Sequence, residues 1–337
     1  MLTVRPDAST DLGHRAFHLA ASSHGECVVA LAPDGHGSVV DRGVRRAFSV
    51  PEKPNQIALD PLGRLLTVAS DRGLLLLDTS NGAVIAREAG AFQGCHFSGT
   101  DTLWAVRAPE KQRAVLELRE SRSLRINLQQ WVPDPFGHSS FMLFPNPGPL
   151  AVSVWVAAGQ DGQCLFWASG EAGMVSVRPF ADLTGVCPPD FAFDGASMVA
   201  VVDAAEVRHY SYPEGRLLAT IPWPADDGAD QVPDAAFFIG PARAIVESSE
   251  GRIHIVDLRR AVVSEELVVA GHSPRPVPEL YPTLANETGL GSDLAFVVPL
   301  GGGRFLSVHR HLPSATNEWN DSVLSWRVPT AEQSGSA

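Results

Sequence analysis

Short apolar runs separated by turn residues follow one another along the whole chain. In one representative stretch, residues 55–88, four such runs occur at 57–59, 65–69, 74–77 and 83–86. Each run is too short for a stable helix, and each is bounded by Gly, Pro, Asn or Asp, which favours strands joined by tight turns. The pattern therefore predicts a four-stranded antiparallel meander over this stretch.

The same four-strand pattern recurs seven times, with repeats that start near residues 17, 55, 92, 139, 190, 234 and 293. Steps of roughly 40 to 60 residues are typical of propeller blades. One small sheet cannot bury both of its faces alone, whereas seven sheets arranged around an axis can pack face to face. We therefore predict an all-β fold, a seven-bladed β-propeller of four-stranded antiparallel blades over residues 1–330.

The last repeat has only three strands after its start, because Pro329 and a polar tail follow Trp326. Residues 2–5 offer the missing outer strand, so we predict that the N-terminal strand completes the last blade and closes the ring. The alternative is that residues 1–13 form a loose arm. Residues 331–337 are predicted to be a disordered tail.

The composition indicates which classes of partner the protein can bind and which cellular compartment suits it. The 337 residues are 45% hydrophobic and carry a formal charge of −12, which argues against a broad surface for nucleic acid or anionic membranes. There is no signal-like N-terminus and no run of about 18 apolar residues. Four widely spaced cysteines suggest free thiols in a reducing compartment. Only two of the basic residues are lysines, a bias typical of GC-rich coding genomes. Together these features lead us to expect a bacterial cytoplasmic protein.

The fourth repeat carries the most specific landmarks. Gly137-His138 precedes its first strand, Asp161-Gly162 lies at a later turn, and Trp167 ends its third strand. In this order and spacing the landmarks resemble those of the WD40 repeat. The resemblance implies a WD40-like propeller in which a buried hydrogen-bond chain, the structural tetrad, joins four side chains: His138, Ser153, Asp161 and Trp167. Trp326 occupies the equivalent Trp position in the last repeat.

The long connections lie mostly at one face of the predicted propeller: 129–138, 180–190, 222–233 and 272–291, with the excursion 312–321 beside them. Long loops of this kind usually carry function, and aromatic and Arg side chains dominate recognition surfaces. We therefore predict a non-catalytic scaffold or recognition subunit of a larger complex, which binds a protein or peptide through this face. The predicted partner-binding residues are Trp131, Phe136, Trp223, Arg275, Tyr281 and Trp319. The alternative is that these rings fold back and cap the blades.

Motifs for nucleophilic, zinc-dependent and nucleotide-dependent catalysis are missing from the sequence, so we expect no cofactor and no metal. The alternative function is an enzyme with a metal- or cofactor-assisted site in the central funnel, as in lactonase-like or quinoprotein-like propellers. The candidates for such a site begin the inner strands: Asn55, Gln56, and the channel-mouth residues Asp190, Asp234 and Asp293. The alternative for Asp190, Asp234 and Asp293 is a structural role, in which they cap or hydrogen-bond the starts of the inner strands.

Overall fold

A computed structural model describes most of the chain. The described residues are 1–110, 113–148, 150–158, 162–171, 173–224, 232–248, 252–270, 297–310 and 321–329. They form two compact units, one of residues 14–184 and one that combines residues 1–13 with residues 185–337. The regular secondary structure of these residues is entirely β, and no helix among them is long and apolar enough to cross a membrane.

The unit of residues 14–184 contains the first four blades. Blade 1 comprises β3 (His18–Ala21), β4 (Cys27–Leu31), β5 (His36–Asp41) and β6 (Val44–Ser49). Blade 2 comprises β7 (Pro54–Leu59), β8 (Leu65–Ser70), β9 (Gly73–Asp78) and β10 (Val84–Ala89). Blade 3 comprises β11 (Phe92–Phe97), β12 (Thr102–Glu110), β13 (Arg113–Glu120) and β14 (Ile126–Pro133). Blade 4 comprises β15 (Ser140–Phe144), β16 (Ala151–Ala157), β17 (Gln163–Glu171) and β18 (Met174–Thr184).

The other unit contains blades 5 to 7. Blade 5 comprises β19 (Asp190–Phe191), β20 (Ser197–Val202), β21 (Glu206–Ser211) and β22 (Leu217–Pro222). Blade 6 comprises β23 (Pro233–Gly240), β24 (Arg243–Ser248), β25 (Ile253–Asp257) and β26 (Val262–Val269), with β1 (Leu2–Val4) as an added strand. Blade 7 comprises β27 (Val297–Gly301), β28 (Arg304–Arg310), β29 (Asp321–Arg327) and β2 (Ala8–Asp11).

The predicted fold class, a seven-bladed β-propeller with four-stranded antiparallel blades, is confirmed. The first six predicted repeat starts lie within one residue of the observed first strands. The predicted start near residue 293 lies outside the described residues, as does the predicted tail 331–337.

Completion of the last blade by an N-terminal strand is confirmed, but residues 2–5 are the wrong strand. Leu2–Val4 instead runs parallel to β26 of blade 6, where Leu2 and Val4 enter the apolar core between blades 6 and 7. The polar segment Ala8–Asp11 pairs antiparallel with β29 and forms the fourth strand of blade 7. Burial of apolar area therefore draws the first segment to the neighbouring blade, while the exposed edge position takes the polar one.

The apolar cores lie between neighbouring blades within each unit. One cluster joins blades 1 and 2, another joins blades 2 and 3, and a third joins blades 3 and 4. Two further clusters join blades 5 and 6, and blades 6 and 7. The middle strands are therefore buried on both faces, which is why runs such as 74–77 are continuously apolar.

Blade 7 contains a buried Trp–Ser hydrogen bond of the kind that the WD40 resemblance implies. The indole Nε1 of Trp326 donates to Ser307 Oγ over 2.9 Å, and both residues are fully buried. The ring also stacks on Phe305 at a centroid distance of 4.8 Å. A buried indole N–H needs an acceptor, so this bond lets Trp326 fill the blade.

We expect Ser307→Ala to lower the free energy of unfolding by about 1–3 kcal/mol, because the indole N–H is left without its acceptor. Chemical denaturation of S307A, W326F and the double variant measures the effect. The double variant is expected to lose less stability than the two single variants added together. Additive losses would contradict a direct bond between the two side chains.

Candidate functional site

Trp131 is the most exposed of the predicted partner-binding aromatics in the described residues. Its side chain lies on β14 and is 47% exposed. The guanidinium of Arg113, on the neighbouring strand β13, lies 4.7 Å from the ring centroid. Such a cation–π contact between adjacent strands holds the indole in one orientation at the surface.

The prediction that Trp131 lies in a connection is wrong, because strands β13 and β14 are longer than the sequence pattern indicates. They pair continuously from Ala114↔Val132 to Leu118↔Leu128, with Trp131 opposite Val115. The connection to blade 4 is therefore confined to residues 134–139. Trp131 presents its ring from a paired strand, a more rigid support than a loop.

Asp134 organises the short connection that carries Phe136. Its buried carboxylate accepts hydrogen bonds from the backbone N–H groups of Phe136, Gly137 and Ser139, at 3.2, 2.9 and 3.1 Å. Burial raises the pKa of Asp134, but these bonds and the Ser139 hydroxyl outweigh burial and hold it below its usual value. Phe136 is partly buried and lies against Gly162, where an added Cβ would come within 3.0 Å of the ring. Phe136 is thus packed onto blade 4.

Trp223 follows the capping alternative. The ring is partly buried, packs against the core between blades 5 and 6, and meets His254 edge-on at a centroid distance of 5.1 Å. Its backbone N–H donates to Ala205 O over 3.1 Å. The remaining predicted contact residues, Arg275, Tyr281 and Trp319, lie outside the described residues, so their roles stay predictions.

In blade 4 the structure differs from the implied tetrad at His138. The resemblance implies a buried imidazole, but His138 is exposed because the turn that Asp134 holds carries it outward. Ser153 is fully buried and its Oγ lies 3.3 Å from Asn146 Nδ2. Trp167 is buried and packs on Phe180, with ring centroids 4.5 Å apart. Asp161 lies outside the described residues. His138 therefore lacks the burial that the resemblance implies, and the hydrogen-bond chain of the tetrad stays a prediction.

Asp190, a predicted channel-mouth residue, bonds the backbone of the next blade. Its Oδ2 accepts the N–H of Phe238, on β23, over 2.7 Å. Burial raises the pKa of Asp190 to about 7, although the bonds from Phe238 and Phe191 lower it in part. Asp234 is partly buried at the start of β23, and Asp293 lies outside the described residues. For Asp190 the structure thus favours the structural role, in which the carboxylate joins two first strands.

Gln56 plays the same structural role across three blades. Its Oε1 accepts the N–H of Cys95 over 3.1 Å and that of Leu143 over 3.0 Å. Its Nε2 donates to Leu143 O over 2.7 Å. As a polar residue in a first strand, Gln56 is a predicted candidate for the funnel site. That signal identified an important residue, but it could not show that the amide is used up by backbone groups 39 and 87 residues away.

Two neighbouring side chains also bond backbone groups of the next blade. Asn55 Nδ2 donates to Phe92 O over 2.9 Å, and Gln93 Oε1 accepts the N–H of Phe141 over 2.9 Å. The sequence pattern does not identify Gln93. The first strands of blades 2, 3 and 4 are therefore joined by side-chain amides rather than by a backbone ladder.

The four cysteines are free thiols, as their wide spacing in the sequence predicts. Burial raises the pKa of Cys27 and Cys164 to about 11 and that of Cys95 to about 12. These three thiols are therefore protonated at neutral pH and are poor nucleophiles and metal ligands. Among the residues that the structure describes, no three His, Cys, Asp or Glu side chains group closely enough to hold a metal ion.

The Asp190 carboxyl generates a pH dependence of stability. Since its pKa is about 7 in the folded protein and about 3.9 in an unfolded chain, only the folded state binds this proton between those values. The Asp190 contribution is therefore complete below about pH 4 and is lost as the pH rises through about 7.

We expect Asp190→Asn, which keeps an acceptor but cannot ionise, to gain stability relative to the wild type as the pH rises from about 4.5 to about 7.5. Denaturant unfolding of both proteins across this range measures the difference. A difference that does not change with pH would show that Asp190 has an ordinary pKa.

Neither the protein-family models nor the curated proteins compared with this chain match it. The resemblance to WD40 repeats thus rests on the landmarks of blade 4 and on the Trp326–Ser307 bond of blade 7. The fold of this protein is a seven-bladed β-propeller arrangement, and its function has to be inferred from its own surface.

Proposed function

We propose that this chain is a non-catalytic recognition module that binds another protein or peptide through the surface around Trp131. The observation that carries the proposal is a large indole, 47% exposed, that Arg113 holds in place from the next strand. A ring that is already fixed loses little conformational entropy on binding. Tryptophan and arginine are also the residue types that contribute most at binding hot spots.

The strand that carries Trp131 supports this proposal. Residues 126–132 contain no charged side chain, and β14 is the fourth, edge strand of blade 3. Exposed edges are commonly protected by charges or prolines, and here Pro133 stands only at the end of the strand. One backbone group of this edge already has a partner, because Gln130 Oε1 accepts the N–H of Trp131 over 3.0 Å.

Blade 6 supplies a precedent for strand addition in this same protein. There β1 pairs in parallel with the fourth strand, β26, and forms a fifth strand on its edge. We propose that an extended segment of a partner adds to β14 in the same manner, with one of its side chains against Trp131. This mode suits a subunit of a larger complex in a reducing, cytoplasmic compartment.

Catalysis is the alternative function, and the raised pKa of Asp190 is the observation that favours it. A carboxyl with a pKa of about 7 has the proton affinity of a general base. However, its Oδ2 accepts a backbone N–H from blade 6, and that bond gives the residue a structural task. Metal analysis of the purified protein separates the two functions, since stoichiometric calcium or zinc would favour the enzyme.

We expect Trp131→Ala to weaken partner binding by about 30-fold, the effect of losing an aromatic hot spot worth about 2 kcal/mol. A photo-crosslinking amino acid at position 129, an exposed position on the same face of β14 that leaves Trp131 in place, should trap the partner in the native cell, and the partner can then be purified for affinity measurements. The matched control is Phe193, which is 53% exposed in the turn between the first two strands of blade 5.

We expect no crosslink to the partner from position 193. We also expect Phe193→Ala to bind the partner with the affinity of the wild type. Equal crosslinking at both positions, or equal affinity of W131A and the wild type, would overturn the assignment of the binding surface to Trp131.

A further inference from the structure

A second surface feature lies at the opposite ends of the strands in blades 1 to 3. A groove of about 700 Å³ runs along the turns that join the first strand to the second and the third strand to the fourth. Trp131 lies near the other end of β14, where the chain leaves for blade 4. The groove is thus separate from the surface around Trp131, and a ligand can occupy it whether or not a partner binds at Trp131.

The floor of the groove is closely packed. Gly63, at a φ of +73°, lies directly on Cys27, so that an added Cβ would come within 2.4 Å of the Cys27 Cβ. Thr79 Oγ1 donates to Gly63 O over 2.7 Å, which ties two turns of blade 2 together. The shape of the groove therefore follows from backbone packing and does not depend on flexible surface side chains.

Two of the four arginines that line the groove are paired within it. Arg42 lies 3.3 Å from Glu26, and Arg46 lies 4.0 Å from Asp41. Arg46 also donates to the carbonyl of Ser80, which links blade 1 to blade 2. These pairs are partly exposed, so they shape the wall of the groove more than they stabilise the fold.

The other two arginines are free to bind a ligand. Arg64, in a turn of blade 2, and Arg122, in a turn of blade 3, both line the groove and are exposed. Within the described part of the chain neither guanidinium has a carboxylate partner. The third acid of the lining, Asp78, is engaged by the N–H of Ser80 at 2.7 Å, and the bonds from Ser80 lower its pKa.

The lining also exposes large apolar side chains beside the free arginines. Leu62 is 57% exposed and Ile85 is 48% exposed. Free guanidinium groups bind carboxylates or phosphates, whereas exposed aliphatic side chains favour a ligand that has apolar groups as well. An acidic peptide that also carries aliphatic side chains has both properties, whereas the phosphate backbone of a nucleic acid offers no aliphatic side chain to Leu62 and Ile85.

We propose that this groove binds an extended acidic peptide segment of a partner protein. Carboxylates of the segment would pair with Arg64 and Arg122, and an aliphatic side chain would contact Leu62 and Ile85. The protein would then hold two binding surfaces at opposite ends of its blades, which suits a scaffold that brings two partners together.

Selection from a phage library of random 12-residue peptides, with the full chain as bait, tests this proposal. We expect the selected peptides to be enriched in Asp and Glu together with Leu, Ile or Val. Counter-selection with inorganic tripolyphosphate tests the alternative anion, because a phosphate site would release the peptides at low tripolyphosphate concentrations. Such release, enrichment of neutral or basic peptides, or no enrichment at all would overturn the proposal.

Charge reversals locate the binding site of the selected peptide. We expect Arg64→Glu and Arg122→Glu each to weaken its binding, measured by fluorescence anisotropy, by about tenfold or more. The matched control is Arg72→Glu, because Arg72 is an exposed arginine of blade 2 in the turn between β8 and β9, at the other end of the strands.

The control R72E and the variant W131A are both expected to bind the peptide as the wild type does. If R72E weakened peptide binding as much as R64E and R122E, the loss would come from the change in net charge and not from the groove. Unchanged peptide binding by R64E and R122E would exclude the groove as the binding site. Because the peptide is selected on this chain directly, failure of the Trp131 proposal would leave this result unaffected.

Discussion

The first strand of each blade presents backbone groups on its free edge, and this protein satisfies part of them with side chains of neighbouring blades. Gln56 shows the principle most clearly, since its amide accepts two backbone N–H groups and donates to one carbonyl on blades 3 and 4. Asn55 and Gln93 add further links, and Asp190 does the same between blades 5 and 6. An unsatisfied buried N–H costs about 1–3 kcal/mol, so these bonds fix how neighbouring first strands lie.

Apolar packing between the blades also holds neighbouring blades together, in addition to the side-chain amides. The clusters between neighbouring blades bury the middle strands on both faces and leave the fourth strands and the turns exposed. The fourth strands and turns are therefore where residue choice is least constrained by folding. Trp131 lies on a fourth strand, and Arg64 and Arg122 lie in turns, so both proposed surfaces use positions that the fold leaves free.

Local sequence pattern was sufficient to predict the fold, because each blade is a meander of neighbouring strands with Gly, Pro, Asn and Asp at its turns. Long-range contacts were beyond its reach. Nothing near Gln56 indicates that its amide bonds Leu143, and nothing near residues 2–5 shows that Leu2 and Val4 are buried against blade 6 rather than in blade 7. The WD40 landmarks show the same limit: the pattern pointed to His138, but the turn held by Asp134 exposes that side chain.

The central claim, that side-chain amides hold the first strands together, is tested most directly by amide-resolved hydrogen exchange of Gln56→Met, a substitution that keeps the length of the side chain. The account predicts that the N–H groups of Cys95 and Leu143 lose protection by about tenfold or more, since each loses its acceptor. Gln129→Met, an exposed substitution on β14, should leave both amides as in the wild type. Unchanged protection of Cys95 and Leu143 in Q56M would contradict the claim.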